Sequence, residues 1–183
     1  MGIVLVKMSS KGLVILYTGE GKGKTTAALG LALRASGYDK KVLIIQFGKN
    51  SFSGELEGIK KLDPLVKIIQ GGKGFVGIRE DKIPLKDHQQ KAQETYEYIY
   101  KEVISGKWNI IVADEIVGAV ASKLLSLSQV LKLIEDKPES LDLVLTGHHA
   151  CPELIEASDL VTEMKAIKHP FEKGVLAKVG IDY

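Results

Sequence analysis

The feature that most constrains this chain is a glycine-rich stretch at 18–26, Thr-Gly-Glu-Gly-Lys-Gly-Lys-Thr-Thr, which follows an apolar run and precedes an amphipathic one. A strand, a glycine loop and a helix in that order are the context in which proteins bind phosphate groups. Gly19, Gly21 and Gly23 allow backbone angles that side chains exclude, so successive N–H groups can turn toward an anion at the positive end of the helix. The sequence therefore predicts a nucleotide phosphate site at this loop.

The residues that close the loop carry the groups that phosphate and metal require. Lys24 supplies a mobile cation, and Thr25 supplies a hydroxyl placed for a phosphate-bound magnesium ion. In the usual phosphate-loop pattern a glycine stands five positions before Gly23, but Thr18 occupies that position and the first glycine follows it. A glycine turn that merely joins a strand to a helix would not explain the lysines and threonines among these glycines, so we favour the phosphate site.

A second apolar run ends in two carboxylates, in the segment Ile110-Ile-Val-Ala-Asp-Glu115. In an open α/β sheet this end faces the same crevice as the loop after the first strand, so Asp114 or Glu115 can reach a metal ion directly or through water. Two chemistries remain open, because Glu115 could orient a water for phosphate hydrolysis or help to hold magnesium. The alternative without a site is that both carboxylates only begin a helix and favour its dipole.

The chain as a whole alternates short apolar runs with longer amphipathic ones, which predicts an α/β, three-layer P-loop (RecA-like) fold with a mostly parallel sheet flanked by helices. The expected strands are Leu13–Tyr17, Val42–Phe47, Val66–Gln70, Asn109–Ala113, Leu141–Thr146 and Leu160–Glu163. The expected helices are Lys24–Ser36, Asp87–Ser105, Ser128–Glu135 and Pro152–Glu156. The segments 49–61 and 71–86 are polar, glycine-bearing and aperiodic, which predicts surface loops, and residues 1–12 predict an extra strand or a loose arm.

Length and composition narrow the class of protein. A chain of 183 residues with 45% hydrophobic content predicts one compact domain spanning 1–183. No apolar run approaches the roughly 18 residues that cross a bilayer, and no cationic leader with a cleavage site is visible, so we expect a cytoplasmic protein without a membrane partner. The lone Cys151 excludes an internal disulfide, and the net charge of +2 does not favour a nucleic-acid partner. The histidines show no metal spacing, so we assign no metal to them.

The chain resembles the family of ATP:corrinoid adenosyltransferases, which act on cob(I)alamin or its precursors. The similarity runs over most of the chain and includes the displaced first glycine of the loop. The resembling segments are Thr18-Gly-Glu-Gly-Lys-Gly-Lys-Thr-Thr-Ala-Ala28, Arg34-Ala-Ser-Gly37, Gln46-Phe47 with Lys49, Gly54-Glu55, Ala113-Asp-Glu-Ile116, Leu145-Thr-Gly147, Lys168-His-Pro-Phe171 with Gly174, and Gly180-Ile-Asp-Tyr183. Together these segments are far more specific than the phosphate loop alone.

The resemblance implies an unusual use of the loop. In this family ATP lies reversed relative to ordinary P-loop proteins, the 5′ carbon of the ribose is presented to the corrinoid, doubly reduced cobalt is the nucleophile, and triphosphate leaves. By this analogy Lys24 and the loop amides neutralise the triphosphate, and Thr25 and Glu115 hold Mg²⁺ or Mn²⁺, with Asp114 a possible further ligand. A displacement at carbon needs a stabilised leaving group and alignment rather than a base.

The resemblance also implies the residues and partners of the site. The residues expected to bind ATP or the corrinoid are Thr18, Gly19, Glu20, Gly21, Lys22, Gly23, Lys24, Thr25, Thr26, Arg34, Glu55 and Phe75. From the residues alone, Arg34 could point at the nucleotide or only cap its helix. The expected partners are ATP, cob(I)alamin or another corrinoid, a reductase that supplies electrons, and a second copy of the chain in a homodimer.

The sequence departs from the family pattern at several positions. Val76-Gly77 stand where the family usually has a Thr-Trp pair beside Phe75, and His148 replaces an arginine. Lys178 replaces a glutamine, and the N-terminal arm is short. These departures touch the corrinoid side of the expected site and leave the nucleotide side intact. Two alternatives therefore stay open, a conventional P-loop ATPase or phosphotransferase, and a protein that binds nucleotide and corrinoid without turnover.

Overall fold

The computed structural model describes residues 11–74, 76 and 81–182, and it contains a six-stranded sheet in which every pairing is parallel. The strands are β1 (Val14–Thr18), β2 (Val42–Gln46), β3 (Val66–Gln70), β4 (Ile110–Asp114), β5 (Asp142–Thr146) and β6 (Leu160–Glu163), in the spatial order β3-β2-β4-β5-β1-β6. The helices are α1 (Lys24–Ser36), α2 (Gly54–Lys60), α3 (Leu85–Ile104), α4 (Ile116–Ala121), α5 (Leu127–Asp136) and α6 (Pro152–Glu156), and a 3-10 helix covers Pro170–Lys173. The predicted fold class is confirmed.

Two hydrophobic cores cover the two faces of the sheet. On one face α1 and α2 pack against strand residues such as Val42 and Ile44, with Ala28 and Ala32 of α1 fully covered. On the other face α3 to α6 pack against the alternate strand residues, which include Leu43 and Ile45. Because both faces of the central strands are buried, these strands are built from Val, Ile and Leu without polar alternation.

The predicted elements agree with the structure in place, and the differences concern short helices and the start of α3. All six expected strands are present, with ends within one residue, and the four expected helices lie at the predicted places. The prediction of a loop at 49–61 is wrong, because α2 occupies Gly54–Lys60 within it. Helix α4 is absent from the expected helices, although a helix that begins at Asp114 and Glu115 was the alternative to a site there. Both missed helices are one to two turns long, so a repeat of 3.6 residues has no length in which to become visible. Residues 71–74 form no helix or strand, but Leu85 and Lys86 belong to α3 rather than to the predicted loop.

The topology brings the ends of distant strands to one edge. β5 lies between β1 and β4, and β2 lies on the other side of β4, so the carboxyl ends of all four central strands open onto the same crevice. Among the described residues, no helix is long and apolar enough to cross a membrane. Residues 1–10, which include most of the expected arm, lie outside the described part of the chain.

Candidate nucleotide-binding site

The glycine loop joins β1 to α1 and packs against the chain that follows β6. Gly19 and Gly23 have φ values of 98° and 119°, which glycine adopts without strain. The Gly21 N–H donates to the Met164 carbonyl at 2.7 Å. A Cβ on Gly19 would lie 2.8 Å from the Met164 nitrogen, so the close approach of the two chains requires glycine there.

Lys24 lies inside the loop, with 6% of its surface exposed. Its Nζ donates to the carbonyl oxygens of Gly19 at 2.6 Å and of Gly21 at 2.9 Å. Burial lowers the pKa of Lys24, and the charges of Glu115, Glu20 and Asp114 act in the opposite direction. Two neutral carbonyl acceptors therefore hold the ammonium at the phosphate loop. A charged phosphate oxygen is a stronger acceptor and can take their place.

Asp114 ties the phosphate loop to the ends of β4 and β5. Its Oδ1 accepts hydrogen bonds from Thr25 Oγ1 at 2.9 Å and from Thr146 Oγ1 at 2.8 Å. Its Oδ2 accepts a bond from Gln46 Nε2 at 3.1 Å, and the residue is 1% exposed. Three donors therefore satisfy this buried carboxylate and set the position of the Thr25 hydroxyl.

The same network continues outward through Gln46 to Glu55 and Lys49. Gln46 Nε2 also donates to Glu55 Oε1 at 3.1 Å, and Lys49 Nζ donates to the same oxygen at 2.7 Å. Burial opposes the charged form of Glu55, but the hydrogen bonds from Lys49 and Gln46 lower its pKa from the ordinary 4.5 to about 2. Glu55 is therefore ionised and committed to its partners at neutral pH.

Glu115 differs from Asp114 because its carboxylate faces open space. The residue has a φ of 64°, and its N–H donates to Thr146 Oγ1 at 2.8 Å. Burial raises the pKa of Glu115, and the charges of His148 and Lys24 and a hydrogen bond from the His148 backbone N–H lower it against that effect. Because this carboxylate has one backbone donor and lines an open cavity, it can bind a metal ion or a substrate group.

These groups surround a cavity of about 550 Å³ at the mouth of the loop. Its lining contains seven of the residues that the sequence predicted, which are Lys22, Gly23, Lys24, Thr25, Thr26, Glu55 and Glu115. The volume lies within the range of pockets that bury a small ligand, and the loop that lines it can supply donors to phosphate groups.

Other predicted residues lie elsewhere. Thr18 is buried, and its Oγ1 accepts a bond from the Ala150 N–H at 3.2 Å, so it ties the loop to the chain after β5. Glu20 faces the rings of His148 and His149 at the rim, with Nδ1 to carboxylate distances of 3.5 and 3.2 Å. Arg34 is exposed in the last turn of α1, away from the cavity lining.

Gly19 and Gly21 shape the loop from behind without lining the cavity. Phe75, and Gly77 beside it, lie outside the described residues. The predictions for these two positions therefore stay predictions.

Several lining residues were not among the predicted site residues. They are Leu29, Lys49, Gly54, His148, Gly180, Ile181 and Asp182. Lys49, Gly54 and the closing 180–182 segment were noticed only as family-like sequence, which could have indicated their place. His148 was noticed only as the replacement of a family arginine on the corrinoid side, but it lies two residues after β5 and lines the phosphate-loop cavity, as the meeting of parallel strand ends at one edge could have indicated.

A second, smaller cavity of about 60 Å³ lies on the other side of Glu115. Its lining is mostly apolar or small, and consists of Phe47, Gly48, Gly74, Val76, Glu115, Gly118, Ala119, Ser122 and Leu124. Among the residues that the structure describes, Glu115 alone lines both cavities. This carboxylate therefore stands at the boundary between them.

The chain is similar to known proteins in sequence and in fold. The model of the ATP:corrinoid adenosyltransferase BtuR/CobO/CobP family matches residues 10–183. A corrinoid adenosyltransferase from Sinorhizobium sp is 35% identical over 99% of this chain and 85% of its own, and one from Escherichia coli K12 is 30% identical over 94% and 86%. In structure, a KaiC-like protein from Pyrococcus horikoshii OT3 covers 86% of this chain and 74% of its own with a TM-score of 0.56 and 16% identity, which supports the fold. The resemblance seen in the sequence is confirmed, and the chain belongs to the ATP:corrinoid adenosyltransferase BtuR/CobO/CobP family.

Proposed function

We propose that this protein transfers the 5′-deoxyadenosyl group of ATP to the cobalt of a reduced corrinoid, cob(I)alamin or a precursor, and releases triphosphate. Membership of the family supports this reaction. The observation that carries it is the position of Glu115, which lines the phosphate-loop cavity beside Lys24 and Thr25 and reaches the border of that cavity, because the donor and the acceptor must meet at one edge of the nucleotide site.

In this reaction the triphosphate of ATP lies on the phosphate loop, and the ribose 5′ carbon points toward the boundary at Glu115. The electron pair of cobalt forms the bond to the 5′ carbon while the bond from that carbon to the phosphate oxygen breaks, and triphosphate leaves with the bonding pair. Lys24, Lys22 and the loop amides stabilise the charge of the leaving triphosphate. The reaction removes no proton from either substrate, so Glu115 does not need to act as a base.

Mg²⁺ or Mn²⁺ fits the donor set at the loop. Magnesium bound to nucleotide phosphates takes one or two hard oxygen ligands from the protein. Thr25 supplies a hydroxyl and Glu115 an available carboxylate, whereas both oxygens of Asp114 already accept hydrogen bonds. We therefore assign Thr25 and Glu115 as ligands and Asp114 as the residue that orients Thr25. When bound, the metal supplies positive charge that favours departure of triphosphate.

The nucleotide residues take different roles in this proposal. Lys22, Gly23, Lys24, Thr25 and Thr26 contact the phosphates, and Glu55 holds the wall of the cavity through Lys49 and Gln46. Thr18, Gly19, Glu20 and Gly21 shape the loop and its rim.

We also propose that the chain works as a single domain and as a cytoplasmic homodimer, with a separate reductase that delivers the doubly reduced cobalt. The unbroken family match over residues 10–183 supports one domain, and the lone Cys151 suits a reducing compartment. Exposed apolar side chains in the C-terminal segment support a dimer, since Ile167, Phe171 and Leu176 are 89%, 73% and 81% exposed. Light scattering should give twice the mass of the chain, and a monomeric mass that persists at assay concentrations would contradict the dimer.

The reaction is tested by incubating the purified protein anaerobically with ATP, Mg²⁺ and cobalamin that has been chemically reduced to the Co(I) state. We expect light-sensitive adenosylcobalamin and triphosphate in equal amounts. Formation of ADP and phosphate would instead select a conventional P-loop ATPase or phosphotransferase. Tight binding of both substrates without turnover would select a binding protein.

A further inference from the structure

The Glu115 carboxylate stands where it does partly because position 118 has no side chain. Glu115 caps the short helix α4, and its carboxylate folds back over the first turn of that helix. A Cβ built on Gly118 would overlap Glu115 Oε1, and it would also lie 3.1 Å from the Cδ and 3.2 Å from the Cγ of the same side chain. All three of the nearest atoms belong to Glu115, so this side chain would have to move.

The backbone after β5 packs closely on the first turn of α4. A Cβ on Gly147 would lie 2.6 Å from the Gly118 nitrogen and 2.9 Å from the Val117 Cβ, so the chain after β5 packs directly on the first turn of α4. The two cavities that Glu115 lines offer space for a carboxylate displaced from Gly118.

We propose that Gly118 is a positioning residue for adenosyl transfer, because its missing side chain sets how far the Glu115 carboxylate extends into the boundary between the two cavities. This inference rests on the proposed function, in which the ribose carbon and the cobalt meet at that boundary. In this proposal Gly118, which itself lines the second cavity, acts through the position of the Glu115 carboxylate. The position of the Glu115 carboxylate is therefore set in part by the bare backbone of α4 at residue 118.

The first test is Gly118→Ala. To reach an ordinary contact distance of 3.4 Å the carboxylate must move by about 1 Å, and a misplacement of this size at a reacting centre can cost about 100-fold in rate. We expect kcat to fall by about 10- to 100-fold while the KM for ATP changes by less than about threefold, since the phosphate loop still holds the nucleotide. An unchanged kcat would overturn the proposal.

The second test uses the length of the acidic side chain. Glu115→Asp alone withdraws the carboxylate by one methylene and should lower kcat, but in the Gly118→Ala background the shorter side chain avoids the new methyl group. The double variant should therefore be at least about fivefold more active than Gly118→Ala alone. If the two single losses multiply in the double variant, the residues act independently and the proposal fails.

Gly30→Ala is the matched control, because Gly30 also lies in a helix and a Cβ there meets no atom within 4 Å. Its kcat should equal that of the unaltered protein, and thermal unfolding should show that all variants are folded.

A crystal structure of Gly118→Ala separates this inference from the proposed function. If the Glu115 carboxylate has not moved in that structure, the inference fails, whatever the activity. If the unaltered protein makes no adenosylcobalamin, the proposed function fails, and the position of the carboxylate in the variant still decides whether Gly118 positions Glu115.

Discussion

The two walls of the nucleotide cavity are built in opposite ways. On one side the phosphate loop holds Lys24 through two of its own carbonyls, and behind it the strand ends supply Gln46 and Asp114, which are hydrogen-bonded to each other. These three residues are 6%, 0% and 1% exposed, and we call this side the strand-end wall. On the other side the C-terminal segment, residues 165–182, is exposed at every position except the half-buried His169. At its start Lys165 packs against Gly21, and its cavity-lining part, residues 180–182, is joined to the phosphate loop by an ion pair between Lys22 Nζ and Asp182 Oδ1 at 2.7 Å.

This difference indicates how the site divides its work. The strand-end wall is held in place by the fold itself, so its donors and charges are oriented before any ligand binds, which is the arrangement that electrostatic stabilisation of a leaving group requires. The C-terminal wall is joined to the loop by a solvent-accessible pair, which contributes little to stability. We therefore expect substitutions in the strand-end wall to have large effects and those in the C-terminal wall to have small ones.

The largest effect is expected for Lys24→Ala. This change removes the buried ammonium from the phosphate loop, and a hydrogen bond to a charged group is worth about 1.5–3 kcal/mol, so ATP should bind about 100-fold more weakly. Isothermal titration calorimetry measures the change. Lys60→Ala, on an exposed face of α2, is the control and should bind ATP normally. A loss smaller than about threefold would show that the strand-end wall does not dominate binding.

Asp114→Asn should destabilise the protein as well as the site. The amide replaces one acceptor oxygen by a donor, which then faces Gln46 Nε2, so a buried polar contact is left unsatisfied. We expect the free energy of unfolding to fall by about 2–3 kcal/mol. Urea denaturation provides the measurement, with the half-exposed Asp87→Asn as the control. Equal stability of the two variants would mean that the network is not structural.

A smaller effect is expected from the titration of Glu55. Because its folded pKa of about 2 lies below its ordinary value of 4.5, its contribution to stability is fully present above pH 4.5 and is lost as the pH falls toward 2. The difference in unfolding free energy between the unaltered protein and Glu55→Gln should therefore shrink by about 1 kcal/mol over that window. The exposed Glu57→Gln serves for comparison, and a difference that stays constant with pH would refute the assignment.

The smallest effect is expected for Asp182→Asn in the C-terminal wall. The carboxylate neutralises Lys22 and adds negative charge to a cavity that receives a polyanion, so its removal should tighten ATP binding by about two- to fivefold at low salt. Glu172→Gln is the control, since Glu172 lies in the same segment but does not line the cavity. Weaker ATP binding by Asp182→Asn would show that the tail supports the nucleotide instead of competing with it.

The sequence was sufficient for the parts of the site that are contiguous in the chain. Strand β1, the glycine loop and α1 follow one another without a break, so the local pattern of apolar residues, glycines and a lysine already predicts the loop and the place of Lys24 and Thr25. The strand that ends at Asp114 could be predicted for the same reason. The short helices α2 and α4 could not, because glycine-containing segments of this length are helical only where packing on the sheet stabilises them.

The division of roles between neighbouring residues depends on contacts that no local pattern contains. Asp114 and Glu115 are adjacent in the chain, yet both oxygens of Asp114 accept hydrogen bonds from Thr25, Thr146 and Gln46, whereas Glu115 lines two cavities. The partners come from positions far away in the sequence, which only the parallel order of the strands brings to one edge. The local sequence thus specifies a phosphate loop. Which of the two acids can bind a ligand, and how Gly118 packs against Glu115, depend on the way distant parts of the backbone pack together, because burial and hydrogen bonding are properties of the folded surroundings.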